Sequence, residues 1–197
     1  MLCSDNTQIK YCIDAKAYEQ LLNNIRFKSP LEAGIEVVVY MLLYGVLDSN
    51  KYDLLDVSTM SKENFYVYLN DKGKENAKTS IKSGEKEADK TTDLVIVRKG
   101  FEFNDGKIND NNSSGAYAFI ETKNLAEKKY VNEVDIQRSG VNYYIWTNGL
   151  KWVYRNKNEE LVEIDLDERK RFPKQYYVDE GRFKELLEMI NEIKWEE

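Results

Sequence analysis

The chain has 197 residues, of which 42% are hydrophobic and 32% are charged, as is typical of one globular domain with its own core. No apolar stretch approaches the length of a membrane-spanning helix, and the N-terminus lacks the basic and apolar regions of a secretory signal. The two cysteines have no metal-site spacing and histidine is absent, which argues against disulfide frameworks, most zinc sites and histidine-based triads. We therefore expect a cytoplasmic protein, outside the membrane, whose chemistry uses oxygen ligands and lysine.

The first part of the chain predicts two helices followed by two strands. Apolar residues at helical spacing indicate a short helix over residues 14–27. A second helix begins at Ser29-Pro30-Leu31-Glu32, where serine caps the helix, proline takes its first position and glutamate completes a capping box. Its broad apolar face extends to Leu47. Strands are predicted over residues 52–60 and 64–69.

The rest of the chain predicts a polar loop and then alternating strands and helices. Residues 70–91 are polar and have no periodic apolar pattern, so we expect a mobile loop. The elements predicted after it are strands at 93–97 and 117–123, a helix at 125–138 closed by Gly140, strands at 141–146, 151–155 and 161–164, and a helix at 179–193. Thr147-Asn148-Gly149 predicts a tight turn between two of these strands.

This order of elements predicts an α/β fold, α+β-like, with a central mixed β-sheet flanked by helices. The strand–helix–strand segment at 117–146 is a crossover unit, which requires at least one parallel strand pair. With no internal repeat and no linker, residues 1–197 are predicted to form a single domain. Its core spans about residues 30–155, and residues 158–197 form an acidic extension of strand and helix.

Two carboxylates and a lysine stand on strands that we expect to be neighbours. Asp93 precedes the apolar run Leu94-Val95-Ile96-Val97, and Glu121 and Lys123 end the run that starts at Ala118. Because side chains alternate along a strand, Glu121 and Lys123 point to the same side. Carboxylate oxygens are ligands for a hard divalent cation, and a lysine suits a neighbouring phosphate. The pattern indicates a metal-dependent nuclease.

The ordered set of these residues resembles the PD-(D/E)XK nuclease superfamily. The greatest resemblance is to the nuclease domain at the N-terminus of type I restriction enzyme R subunits, where the E-x-K strand is followed by a helix bearing glutamine and a strand ending in Thr-Asn-Gly. Here the corresponding residues are Glu121-Thr122-Lys123, Gln137 and Thr147-Asn148-Gly149, followed by an aromatic strand. The resemblance covers about residues 30–155. Thr92 stands where the motif has proline, and Val141 stands where a tyrosine often follows the glutamine.

The resemblance implies a restriction-endonuclease-like core and a set of site residues. Asp93, Glu121 and the backbone carbonyl of Thr122 would hold Mg²⁺ or Mn²⁺, and Lys123 would orient the attacking water or stabilise developing charge. A glutamate on the preceding helix is also implied near the metal. Glu36 is preferred over Glu32, because Glu32 is already explained as the capping-box acid. Gln137 would contact the water or a backbone phosphate.

The charge distribution leaves nucleic-acid and protein partners both open. Residues 158–197 hold 13 acidic and 7 basic residues, so this extension accounts for the whole net charge of −6. The remainder can form a local basic groove that binds DNA, or alternatively RNA. Its candidate residues are Lys123, Lys128, Lys129, Arg138, Lys151 and Arg155. The acidic C-terminus suits a protein partner instead, and a homodimer would suit double-strand cutting.

Three functions follow from these patterns. The first is a Mg²⁺-dependent DNA endonuclease in restriction, phage or mobile-element biology. The second is a nuclease-fold protein that acts as a binding or assembly module. The third is an inhibitory or structural protein that has lost cleavage. The intact set of Asp93, Glu121 and Lys123 favours the first over the third, whereas the negative charge favours the second over a free-standing nuclease of high DNA affinity.

Overall fold

The computed structural model describes residues 2–3, 10–11, 13–28, 32–58, 66–70, 72, 90–101, 116–167, 169 and 175–197. The helices are α1 (Ala15–Lys28), α2 (Glu32–Val46), α3 (Ile136–Ser139) and α4 (Glu180–Glu192). The strands are β1 (Leu2–Cys3), β2 (Lys10–Tyr11), β3 (Tyr52–Asp56), β4 (Tyr66–Val67), β5 (Lys90–Thr91), β6 (Leu94–Arg98), β7 (Ala116–Thr122), β8 (Tyr143–Thr147), β9 (Lys151–Asn156) and β10 (Leu161–Asp165).

Six strands form one mixed sheet in the order β10-β9-β8-β7-β6-β3. Strands β7 and β8 are parallel, and the other four neighbouring pairs of this sheet are antiparallel. The predicted crossover at 117–146 and its parallel pairing are therefore confirmed. Two short antiparallel pairs, β1 with β2 and β4 with β5, lie outside this sheet. The architecture is α+β, with a mixed sheet flanked by helices.

The three long helices pack against one face of the sheet. Along β7, Ala118 and Ile120 join the core formed with these helices, whereas Phe119 belongs to the core on the opposite face. This alternation is the period-2 pattern of a strand that is buried on both sides. Tyr18 of α1 and Phe183 of α4 meet in this core, with ring centroids 5.2 Å apart.

The opposite face is covered mainly by irregular chain. Its core joins Val95, Tyr144 and Trp146 from the sheet to Val67 and Val134. Val134 lies in the crossover between β7 and β8, where the chain is bridged to Leu69. The candidate acids Asp93 and Glu121 lie at one end of this face, and the crossover forms part of their surroundings.

Most predicted elements are confirmed within one to three residues. The helix predicted at 14–27 is α1, and the helix predicted at 179–193 is α4, capped by the Asp179 side chain. The first strand ends at Asp56 rather than at residue 60. The cap predicted at 29–31, residues 59–65 and nearly all of the loop predicted at 70–91 lie outside the described residues. Within the described ranges, no helix is both long and apolar enough to cross a membrane.

The helix predicted over residues 125–138 is wrong for most of its length. Only α3, Ile136–Ser139, is helical, between the Asp135 cap and Gly140 in the left-handed region. The crossover instead uses its backbone for tertiary pairing, because the Asn70 N–H donates to the Glu133 carbonyl at 2.9 Å and the Asp135 N–H donates to the Tyr68 carbonyl at 2.8 Å. Groups bonded to another segment in this way are not available for a helix.

The Thr147-Asn148-Gly149 turn is fixed by its own side chains and by α1. Asn148 Oδ1 accepts the backbone N–H groups of Leu150 and Lys151 at 3.0 and 2.7 Å. The Tyr18 hydroxyl donates to the Gly149 carbonyl at 2.7 Å. Gly149 has a φ of +87°, a conformation that glycine adopts without strain. These contacts give this turn a structural role that needs no ligand.

Candidate active site

Asp93 and Glu121 meet where β6 begins and β7 ends. Leu94 pairs with Ile120, so the residues next to this pair, Asp93 and Glu121, lie side by side at the end of the two strands. The Asp93 N–H donates to the Ile120 carbonyl at 3.2 Å, and the buried Thr92 hydroxyl donates to the same carbonyl at 2.8 Å. The prediction that the two acids stand on neighbouring strands is thus confirmed by the strand register.

The Asp93 carboxylate is half-buried beside β7. Its Oδ2 accepts the Thr122 backbone N–H at 2.6 Å and the Thr122 hydroxyl at 2.8 Å. Burial, followed by the negative charge of Glu121, raises the pKa of Asp93 to about 6, whereas the two Thr122 hydrogen bonds and the Lys123 charge act to lower it. Because the charge of Glu121 raises the pKa of Asp93, the two carboxylates are close enough to repel each other.

Lys123 is the cation of the site and contacts two carboxylates. Its Nζ forms an ion pair with Glu121 Oε1 and a second one, at 3.1 Å, with Glu32 Oε1. Although burial lowers the pKa of Lys123, the Glu121 and Glu32 carboxylates raise it to about 12. Glu121 is only 5% exposed, so this lysine offsets the charge of a buried carboxylate.

The two helix acids take different positions. Glu32 reaches Lys123, whereas the Glu36 side chain, one turn later on α2, lies near Ser58, Asp56 and Asp93. Burial raises the pKa of Glu36 to about 7, and the Asp56 and Asp93 charges add to this effect, against the Ser58 hydrogen bond. Glu36 is therefore the helix acid that approaches Asp93, and Glu32 is the one that holds the lysine.

Replacing Glu36 with glutamine is expected to stabilise the protein in alkaline but not in acidic solution. A carboxyl whose pKa is raised by folding from 4.5 to about 7 lowers stability as the pH rises through that interval. The variant removes this loss of unfolding free energy, which is about 1 kcal/mol for a half-exposed group. Urea denaturation at pH 8 should show the gain, and at pH 4 the two proteins should be equally stable.

The matched control is Glu192→Gln, which replaces an exposed acid at the end of α4. It should leave the stability difference between pH 4 and pH 8 as it is in the wild type. If Glu36→Gln is as stable as wild type at pH 8, or less stable, Glu36 does not stand among repelling acids.

The remaining predicted site residues are spread around this end of the sheet. Thr122 ends β7, fully buried, and binds Asp93 through its N–H and hydroxyl; the ligand role of its carbonyl stays a prediction. Gln137 is exposed on α3, where its carbonyl caps the helix through the Gly140 N–H. Among the described residues, its side chain makes no hydrogen bond to Asp93, Glu121 or Lys123, so its role also stays a prediction.

The predicted basic groove is only partly supported by the positions of its residues. Lys128 is exposed on the crossover, and Arg138 is exposed with its guanidinium 4.4 Å from the Tyr68 ring centroid. Lys151 forms an ion pair with Glu163 at 2.8 Å, which offsets its charge. Arg155 is only 1% exposed and donates through Nη2 to the Val134 carbonyl, so it is a buried crossover anchor and was wrongly predicted as a groove residue.

Two residues near the acids were missed by the sequence analysis. Asp56 ends β3, and its charge adds to the raised pKa of Glu36. The sequence signal for it was an acid at the end of a strand that pairs with the strand following Asp93. Tyr144 is buried on β8, and burial together with the Glu121 charge raises its pKa well above the usual range. Nothing in the sequence distinguishes Tyr144 from the other aromatic residues of that strand.

The donor set fits a hard divalent cation bound by few protein ligands. Within the described residues, no three acidic or cysteine side chains are grouped as a ready metal-binding cluster. Mg²⁺, however, is commonly held by one or two carboxylates and several waters. Asp93 and Glu121 supply two such oxygen donors, and the raised pKa of Asp93 is the effect that a cation would relieve.

Comparisons of this chain with protein-family models, with curated proteins and with solved structures give no match. The resemblance to PD-(D/E)XK nucleases therefore rests on the residues themselves and stays a prediction.

Proposed function

We propose that this protein is a metal-dependent endonuclease that hydrolyses phosphodiester bonds in DNA, with RNA as the alternative substrate. The observation that supports it is the convergence of Asp93, Glu121 and Lys123 at one end of β6 and β7. Structural carboxylates are seldom placed where they repel each other inside a protein, whereas groups with perturbed pKa values cluster at functional sites. A restriction-endonuclease-like core, implied by the sequence resemblance, belongs to this proposal.

Asp93 and Glu121 are the proposed ligands of Mg²⁺ or Mn²⁺, with the Thr122 carbonyl and Glu36 as further candidates. When bound, such an ion lowers the pKa of a coordinated water and offsets negative charge on the phosphate. The protein's part is to hold the two carboxylates still. The Thr122 N–H and hydroxyl fix Asp93, and Thr92 fixes the backbone before it.

Lys123 is proposed to bind the scissile phosphate as a cation. Its contacts with Glu121 and Glu32 keep the amine protonated, so it donates hydrogen bonds rather than removing a proton from water. Glu32 is about half-exposed, and a phosphate oxygen can take its place on the amine without disturbing Glu121. Lys128 and Arg138 are proposed secondary contacts to the nucleic-acid backbone, and Lys151 a weaker one.

A cleavage assay tests this function. Supercoiled plasmid is incubated with the protein in Mg²⁺, in Mn²⁺ and in EDTA, with a parallel RNA substrate. We expect nicked product with either metal and none in EDTA. Absence of cleavage of both DNA and RNA under every metal condition would overturn the nuclease proposal.

A second candidate function, a protein-binding or inhibitory module without cleavage, is favoured by a groove at the C-terminal end. This acidic groove is lined by Tyr143, Tyr154, Glu185, Glu188, Glu192 and Glu197. The two tyrosine rings stack with centroids 5.4 Å apart. Aromatic faces among carboxylates suit lysine or arginine side chains of a protein partner. A basic peptide that binds the protein while plasmid stays intact would support this function over the nuclease.

Two further parts of the proposal concern assembly and location. Helix α2 exposes Val37, Met41 and Tyr44 in one stripe, which is unusual for a surface helix and compatible with a homodimer. Light scattering after gel filtration would measure the dimer directly. We also propose that the protein is cytoplasmic. Its proposed biological setting is restriction, phage or mobile-element biology.

A further inference from the structure

A cleft opens beside Glu121 and Lys123 on the face of the sheet away from the long helices. Its volume is about 200 Å³, which suits one small ring system rather than a drug-sized ligand. The apolar part of its wall comes from Val67, Leu69, Val131, Val134, Tyr144 and Trp146. The two catalytic candidates form part of its rim, so any occupant lies next to the proposed phosphate position.

The charges around the cleft identify the kind of occupant. Its lining includes the carboxylates of Glu121, Glu127 and Glu133 and the amines of Lys123 and Lys129. Three negative groups against two positive ones disfavour a phosphate inside the cleft itself. Carboxylates are, however, good acceptors for amino and ring N–H groups, and an apolar aromatic wall suits a flat ring. A neutral nucleobase satisfies both conditions.

We propose that this cleft receives one unpaired nucleobase of the substrate, next to the phosphodiester held at Lys123. The inference rests on the proposed function and specifies its substrate class. A base in a duplex is stacked and paired, and enters a side pocket only after it has been unstacked. The protein therefore acts on single-stranded or locally unpaired nucleic acid in preference to a regular duplex.

The binding test needs no cleavage. The wild-type protein, labelled with ¹⁵N at its indoles, is titrated in EDTA with dAMP and, separately, with 2-deoxyribose 5-phosphate, which lacks a base. Trp146 lines the cleft, whereas Trp152 and Trp195 are buried in the core on the helix face of the sheet and serve as internal controls. We expect dAMP alone to shift the Trp146 indole signal, with the other two indoles unmoved.

A variant that fills the cleft tests its effect on cleavage. Val131 is half-buried at the cleft, and tryptophan there should occupy the space of the base. Val131→Trp is expected to reduce cleavage of a single-stranded oligonucleotide about tenfold, the size of one lost base-stacking contact. Leu161→Trp, on the exposed strand β10, introduces the same side chain elsewhere and should leave the rate unchanged.

The outcomes separate the two proposals. A Trp146 shift with dAMP but no cleavage of any substrate would support the base pocket and overturn the nuclease. Equal cleavage of duplex and single strand, with no dAMP-specific shift at Trp146, would overturn the pocket and leave the nuclease standing. An equal shift from 2-deoxyribose 5-phosphate would likewise contradict a pocket that recognises the base.

Discussion

Replacing Lys123 with alanine is expected to lower the cleavage rate about 10²–10³-fold, the usual loss when one group that stabilises transition-state charge is removed. The amine lies between Glu121, a proposed metal ligand, and Glu32, and forms an ion pair with each. Its loss removes the phosphate contact and the ion pair with the buried Glu121. The rate of plasmid nicking under saturating Mg²⁺ measures the effect.

Lys99→Ala is the matched control for this loss. Lys99 also pairs with a carboxylate, Asp53 at 2.6 Å, but on the exposed edge of the sheet. It should leave the nicking rate within about twofold, because exposed ion pairs contribute little. Since Lys123→Ala can also destabilise the fold, Glu121→Gln is measured beside it: a neutral residue of the same shape should abolish activity while keeping the chain folded. Full activity in either variant would contradict the proposed site.

Gly149→Ala is expected to destabilise the protein by about 2–3 kcal/mol, the second largest effect. An L-residue in the left-handed region costs roughly 1–2 kcal/mol, and Gly149 has a φ of +87°. A Cβ there would also lie 2.9 Å from Leu22 Cδ2, inside the core where α1 meets the turn. Overpacking of that contact accounts for the additional loss.

Gly140→Ala separates the two contributions. Gly140 has a similar φ of +72°, but a Cβ there meets nothing within 4 Å. The backbone cost alone, about 1 kcal/mol, is therefore expected for this variant. Chemical denaturation of both proteins measures the difference. Equal losses at the two positions would show that the Leu22 contact adds nothing.

The elements with a strong periodic pattern were predictable from sequence. The apolar spacing in α2 and the continuous apolar runs in β6 and β7 each reflect burial against neighbouring elements, and the hydrophobic pattern of a sequence reports burial. The helix predicted at 125–138 failed for the opposite reason. Its apolar residues, among them Val134 and Ile136, pack on the sheet through pairing with residues 68–70, and such long-range pairing leaves no local signal.

The candidate site was predictable only where strands align it. The register of β6 and β7 brings Asp93 beside Glu121, as their positions at strand ends indicated. The division of roles between Glu36 and Glu32 was not predictable, because it depends on how α2 is rotated over the sheet. The burial of Arg155 was also not predictable, because arginine is mostly exposed and its sequence context does not indicate burial.

The most direct test of the central claim is the binding of Mn²⁺ to the free protein, followed by the electron paramagnetic resonance signal of the unbound ion. We predict that wild-type protein removes one Mn²⁺ per chain from solution, and that Asp93→Asn and Glu121→Gln abolish this binding. Glu188→Gln, in the acidic groove, should bind Mn²⁺ as wild type does. Unchanged Mn²⁺ binding by Glu121→Gln, or no binding by the wild type, would contradict a metal site at the end of β6 and β7.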